Sequence, residues 1–208
     1  MKTFPSCALL AAAAVLAVGC GATARLAVND GTGPQPVLPE PKTSLIPKIK
    51  VVTAKGWPQG EMPTPASGLA VAPFARDLDH PRWVSVLPNG DVLVAETNAP
   101  ARPDDGKGLK GRLFKHYQKK AGGAVPSANR ITLLRDTNGD GVADVHSIFM
   151  SNLTSPFGMV LVGNQLYIAN TDALVRVPYS DGALTIKARP VKVTTLPGGP
   201  LNHHWTKN

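Results

Sequence analysis

Two short stretches of the chain hold residues whose types and spacing suit chemistry. Towards its end, His203-His204-Trp205 follows the turn cluster Pro197-Gly198-Gly199-Pro200, which sets the histidines at the start of a strand, close to a loop. Histidine titrates near neutral pH and is the usual base for taking a proton from a hydroxyl. Neighbours on a strand point to opposite faces, so at most one of the pair easily faces a given pocket, and a structural role stands beside the catalytic one. Earlier, Asp136-Thr-Asn138-Gly-Asp140-Gly141-Val142-Ala-Asp144 places side-chain oxygens at positions 1, 3, 5 and 9 of a calcium loop, with glycine at position 6 and the Val142 carbonyl in addition. The place of the closing bidentate glutamate is taken by Ser147. Asp and Asn suit a plain hairpin turn equally well, because they bond their own backbone, so a calcium site and a structural turn both stand.

Other polar and aromatic residues carry less. Arg82 and Glu96 lie on one predicted hairpin and either line a channel mouth or pair on the surface. His80, His116 and His146 are isolated and are assigned no role. Trp83 and Phe157 take nearly corresponding strand starts and read as packing between repeated units.

The elements that position these residues show in an internal repeat. Pro81-Arg-Trp-Val-Ser-Val-Leu-Pro-Asn-Gly-Asp-Val-Leu-Val-Ala-Glu-Thr97 matches Pro156-Phe-Gly-Met-Val-Leu-Val-Gly-Asn-Gln-Leu-Tyr-Ile-Ala-Asn-Thr171. Val84 aligns with Met159, Val86 with Leu161 and Asn89 with Asn164; after a turn one residue shorter, Val94 aligns with Ile168, Ala95 with Ala169 and Thr97 with Thr171. Each copy reads as strand, tight turn, strand, with Asn-Gly and Gly-Asn supplying the positive φ that hairpin loops need. Further strand-like runs follow: 130–135 and 145–150 in the first unit, 173–178 and 191–196 in the second. Four short strands per unit, repeated, is the sequence form of a β-propeller blade, so the expected class is all-β, with a β-sandwich as the second choice.

The rest of the chain frames these units. Residues 1–19, with Lys2 ahead of an apolar run too short for a stable membrane span, read as a signal peptide of the lipoprotein type. Leu16-Ala17-Val18-Gly19-Cys20 resembles a lipobox, which makes Cys20 the lipidation site; ordinary cleavage leaving an incidental thiol is the alternative. Residues 20–68 are rich in proline and read as a tether and lead-in segment, within which Ile46–Val52 hints at a strand; residues 69–208 are the repeat region. A third unit is expected to begin after Pro200, so the chain reads as the N-terminal part of a propeller, truncated before closure. The basic excess, 22 Lys and Arg against 14 Asp and Glu, comes largely from 107–120. That segment has apolar residues at roughly helical spacing and reads as a basic amphipathic helix, either a solvated insertion or a contact for an anionic lipid surface or polyanion. Export argues against nucleic acid as the partner, and places the protein in the periplasm, held by its lipid.

Gly199-Pro200-Leu-Asn-His-His-Trp-Thr-Lys207-Asn208, the Asn129 to Asp144 hairpin and Ser155-Pro-Phe-Gly-Met159 together resemble the sorbosone dehydrogenase branch of the soluble quinoprotein glucose dehydrogenase family. The resemblance runs from about Ala70 to Asn208. It implies a six-bladed propeller, of which about two blades are present here, and an enzyme that uses pyrroloquinoline quinone (PQQ) and calcium to oxidise a sugar or sugar-derived alcohol or aldehyde. In that family a histidine takes the hydroxyl proton as hydride passes to the quinone. Within the motif that role falls on His204, with His203 a neighbour in the cofactor pocket, while most other cofactor and calcium contacts belong to later blades. The physiological electron acceptor is not readable. The other function class is an exported propeller that binds a glycan or protein without catalysis. A metal-dependent lactone hydrolase would need a carboxylate cluster that the two units lack.

Overall fold

The structure, a computed structural model, describes residues 27–38, 51–100, 107–123, 125–199 and 204–208. The signal peptide, Cys20 and His203 lie outside the described residues. So does most of the strand hinted at 46–52, of which Val51 and Val52 are described and are not in a strand. The chain divides into two compact units, Met1–Val51 and Val52–Asn208. In the first, the described residues hold one 3-10 turn, Val28–Gly31.

The second unit is built on two four-stranded antiparallel sheets. The first is β1 (Pro81–Val86), β2 (Val92–Glu96), β3 (Arg130–Arg135) and β4 (Val145–Met150). The second is β5 (Met159–Val162), β6 (Gln165–Ala169), β7 (Ala173–Pro178) and β8 (Val191–Thr195). Each sheet keeps its strands in chain order, a plain meander. One helix, α1 (Gly108–Lys120), occupies the basic insertion between β2 and β3. The described residues are therefore all-β with one inserted helix.

Strand register follows the repeat. Val84 pairs with Val94 and Val86 with Val92 in the first hairpin; Met159 pairs with Ile168 and Leu161 with Leu166 in the second. The turns obey their chemistry. Gly90 takes φ 90° and Gly163 φ 58°, conformations that cost a residue with a side chain about 1 kcal/mol or more. Asn89 accepts a bond from the Asp91 N–H at 3.1 Å, and the buried Asp91 carboxylate is gripped by the Arg135 guanidinium at 2.6 and 2.7 Å.

The two sheets share one core. Leu93, Ile131, Leu133 and Phe149 of the first pack with Leu166, Ile168, Val175 and Val177 of the second. A bulge in β4, where register shifts opposite Ile131 and Thr132, turns both Phe149 and Met150 into this core. The opposite face of the first sheet carries Val94 and Leu134, roofed by Phe74, Ala75 and Leu78.

The repeat makes the direction of this packing readable. Val94 and Leu78 lie on the face of the first sheet that points away from the second, yet their counterparts Ile168 and Leu153 lie on the face of the second sheet that meets the first. The sheets thus stack head to tail, unlike faces in contact. A two-layer sandwich turns its polar side chains outwards on both sides. Here both outer faces carry exposed apolar side chains, Val84, Val86 and Ile148 on one and Val160, Val162 and Val191 on the other, all more than half exposed, beside polar ones such as His146 and Arg176.

Candidate functional site

Each sheet begins at a lead-in loop of the same geometry. Asp77 and Asn152 have φ 61° and 58°; His80 and Ser155, directly before the prolines, have φ 51° and 44°. Left-handed backbone at a residue with a side chain costs energy and persists only where the surroundings fix it. The fixing groups are the buried side chains at the far end of each hairpin. The Glu96 carboxylate accepts the Asp79 N–H, and the Asn170 side-chain oxygen accepts the Thr154 N–H at 3.3 Å.

Glu96 does more. It is 1% exposed, and the Arg130 guanidinium donates to it at 3.1 and 2.7 Å while the Thr132 hydroxyl donates to the same carboxylate. Burial pushes its carboxyl up, but Arg130, Thr132 and the Asp79 N–H together outweigh that and hold it below the ordinary glutamate value. With both oxygens engaged, it is a structural clamp. The surface pair with Arg82 expected from the sequence does not form. A register shift between Pro81 and Trp83 skips Arg82, and Arg130 stands directly across from Glu96.

Arg82 instead stacks its guanidinium over Trp205, 5.5 Å from the ring centre. Trp83 and Phe157, from corresponding strand starts, and Trp205 form a chain of rings with centroid separations of 5.2 and 6.2 Å. The packing role expected for Trp83 and Phe157 is the observed one. Residues 204–208 are pinned beside the start of the second sheet. The Gly158 N–H donates to the Lys207 carbonyl at 2.9 Å, and the Thr171 hydroxyl donates to the Trp205 carbonyl at 2.9 Å. A Cβ at residue 158 would fall 2.6 Å from the Asn208 Cα, so this crossing requires glycine.

His204 sits on this pinned segment. Its side chain is exposed, and its ring has no hydrogen-bond partner among the described residues; the Lys207 ammonium donates to its backbone carbonyl at 3.0 Å. The 204–208 segment and the start of β1, together termed the leading edge, therefore combine an imidazole without a hydrogen-bond partner among the described residues with the cations of Arg82 and Lys207. Next to it an apolar hollow of about 210 Å³ is lined by Trp83, Met159, Tyr167, Leu174 and Asn208, among others. Such an edge can take a proton and attract an anion.

The Asp136–Asp144 loop lies elsewhere, between β3 and β4. Its carboxylates serve the loop itself. Asp136 accepts the Gly139 and Gly141 N–H groups at 2.7 and 2.8 Å, which hold its carboxyl below the usual aspartate value, that of Gly141 foremost. Asp140 accepts the Val142 N–H at 2.8 Å and an Asn138 amide N–H at 3.0 Å; Asp144 accepts the Thr137 hydroxyl at 2.6 Å. Among the described residues no three His, Cys, Asp or Glu side chains converge as a metal site would require. The five expected ligands thus share one turn, whose shape is held by Asx bonds.

The sequence reading missed the clamps. Their copies differ in identity, Asp77 against Asn152, His80 against Ser155, Glu96 against Asn170, so only their shared capacity to accept bonds or adopt left-handed backbone links them.

A family model described as "Domain of unknown function (DUF7133)" matches residues 77–196, more than half of the chain. The match opens at the left-handed Asp77 and closes just past β8, so it spans both sheets and leaves His204 outside. None of the curated proteins and none of the solved structures matches the chain.

Proposed function

We propose that this chain, which belongs to the DUF7133 family, is the opening part of an exported β-propeller oxidoreductase that oxidises a sugar or sugar-derived alcohol or aldehyde with PQQ. The observation that carries the architecture is the head-to-tail stacking of two like meanders. Unlike faces in contact leave an open face at each end, and repeated addition of such units with a constant rotation closes into a ring. Exposed valines and an isoleucine on the outer faces of both sheets support further units on either side.

The chemistry rests on His204 at the leading edge of the third unit. Its unengaged, solvent-facing imidazole is suited to accept the proton of a substrate hydroxyl as the carbon beside it is oxidised. Lys207, bonded to the His204 carbonyl, and Arg82, over the neighbouring Trp205 ring, supply positive charge at the same segment, which fits an anionic cofactor such as a carboxylated quinone. PQQ, when bound, would supply the two-electron acceptor. The oxygen donors of the Asp136–Asp144 loop would be the candidates to hold a calcium ion, since each carboxylate oxygen that accepts a turn bond keeps a second lone pair. The apolar run ending at Cys20 supports export and lipid anchoring.

The reading is tested by sugar-dependent reduction of an artificial dye, with the whole chain supplied with PQQ and calcium. Turnover that disappears in His204→Ala supports it. PQQ-dependent turnover that is unchanged in the variant would remove His204 from the mechanism, and sugar binding without any turnover would favour a non-catalytic propeller.

A further inference from the structure

Helix α1 belongs to neither sheet, and the chain invests thirteen residues in it. Its contacts with the body are confined to one side and to its end. Gly111, Tyr117 and Gln118 are half-buried; the Lys120 carbonyl accepts the Ala54 N–H at 3.3 Å, and the Gly122 carbonyl faces His80 Nε2 at 3.2 Å. The helix is therefore held in place with its remaining arc turned to solvent. On that arc Leu109 is 84% and Leu113 56% exposed. At 100° per residue these two adjoin a strip made by Arg112, Lys115 and Lys119, all exposed. None of those cations has a carboxylate partner among the described residues, and residues 107–120 contain no acid at all. No described helix is long and apolar enough to cross a membrane.

An apolar pair bordered by unneutralised cations, on a helix fixed to a rigid body, is the arrangement that lies flat in a bilayer interface. A soluble polyanion would use the cations and leave the leucines in water. We infer that α1 is a docking surface for an anionic phospholipid bilayer, with Leu109 and Leu113 seated among the acyl chains and Arg112, Lys115 and Lys119 on the headgroup charge. This surface stands apart from the proposed oxidoreductase activity and does not depend on it.

The test is co-sedimentation of the whole chain, carrying Cys20→Ser so that no acyl chain contributes, with vesicles of phosphatidylcholine alone or with one third phosphatidylglycerol. Any pull from the apolar N-terminal run is common to both vesicles and to every variant. Binding is expected to be on the order of tenfold stronger or more on the anionic vesicles, to weaken with salt, and to lose that preference in R112E/K115E/K119E. The L109Q/L113Q pair, which keeps the charges and suits a helix, is expected to weaken binding at least severalfold. Equal binding of the Cys20→Ser chain to both vesicles overturns the inference, and needs no substitution in the helix. So does binding that charge reversal abolishes but leucine replacement leaves unchanged, accompanied by retention on heparin, which would assign the strip to a soluble polyanion.

Discussion

Glu96 of the first sheet and Asn170 of the second do the same work: each buried side-chain oxygen accepts the backbone N–H two residues ahead of the proline that begins its own unit. The pairing explains why a carboxylate is tolerated in the interior. It fixes the lead-in loop that delivers Pro81, Arg82 and Trp83 to the leading edge, as Asn170 helps fix the loop that delivers Pro156 and Phe157.

Glu96→Ala is expected to cost about 1–3 kcal/mol, because it takes the acceptor from the buried Thr132 hydroxyl, the half-buried Arg130 guanidinium and the Asp79 N–H at once. Glu96→Gln, which keeps an acceptor, is expected to cost less. The folded carboxyl titrates below its unfolded value, so its contribution is complete above the unfolded pKa of about 4.3 and is lost as pH falls through the lower folded value. Chemical denaturation between pH 3 and pH 7 checks both points; equal acid sensitivity in Glu96→Gln and the parent would contradict them.

Gly158→Ala is expected to displace residues 204–208, since the added methyl meets backbone of Lys207 and Asn208 rather than a yielding side chain. The strain of such overpacking is about 1–3 kcal/mol. Dye reduction should fall more than thermal stability does, because the displaced segment carries His204 and contributes little to the shared core. Full activity in the variant would show that the crossing does not position the histidine.

His80 ties the start of β1 to the end of α1. Its Nδ1 faces the Asp79 carboxylate at 2.9 Å and its Nε2 the Gly122 carbonyl at 3.2 Å, and only the doubly protonated ring donates to both. The Asp79 bond first, then the Gly122 carbonyl, raises its pKa above the ordinary histidine value. A raised folded pKa stabilises fully below the unfolded value, about 6.5, and that contribution disappears as pH rises through the folded value. Protection of the Ala121–Gly123 amides against hydrogen exchange, corrected for intrinsic rate, should therefore drop as pH rises from the unfolded histidine value through the higher folded one. His80→Gln should remove the step; a step that persists would assign it to another group.

What the sequence disclosed and what it withheld divide along physical lines. Strand positions were legible because alternating Val, Leu and Ile between Asn-Gly and Gly-Asn turns admits few other structures, and the observed strands fall on 130–135, 145–150 and 173–178 as expected. The helix at Gly108–Lys120 was legible from its spacing. Glu96 was misplaced because a glutamate reads as surface until its cross-strand partner is known, and the register shift at Arg82 that decides the partner has no local signature. The crossing at Gly158 had a signal in a glycine at a strand start, but the segment it meets lies more than forty residues further on. Head-to-tail stacking depends on which face meets which, and periodicity alone is silent on that.

Disulfide trapping tests the head-to-tail stacking most directly. In chains with Cys7 and Cys20 replaced by serine, cysteine is placed at Val86 on one outer face or at Val162 on the other, and the two proteins are oxidised singly and mixed. Head-to-tail addition predicts that the mixture gives a cross-linked Val86→Cys with Val162→Cys dimer well above either protein alone. Cross-linking of each protein with itself, at the expense of the mixed product, would show like faces meeting and would contradict head-to-tail stacking.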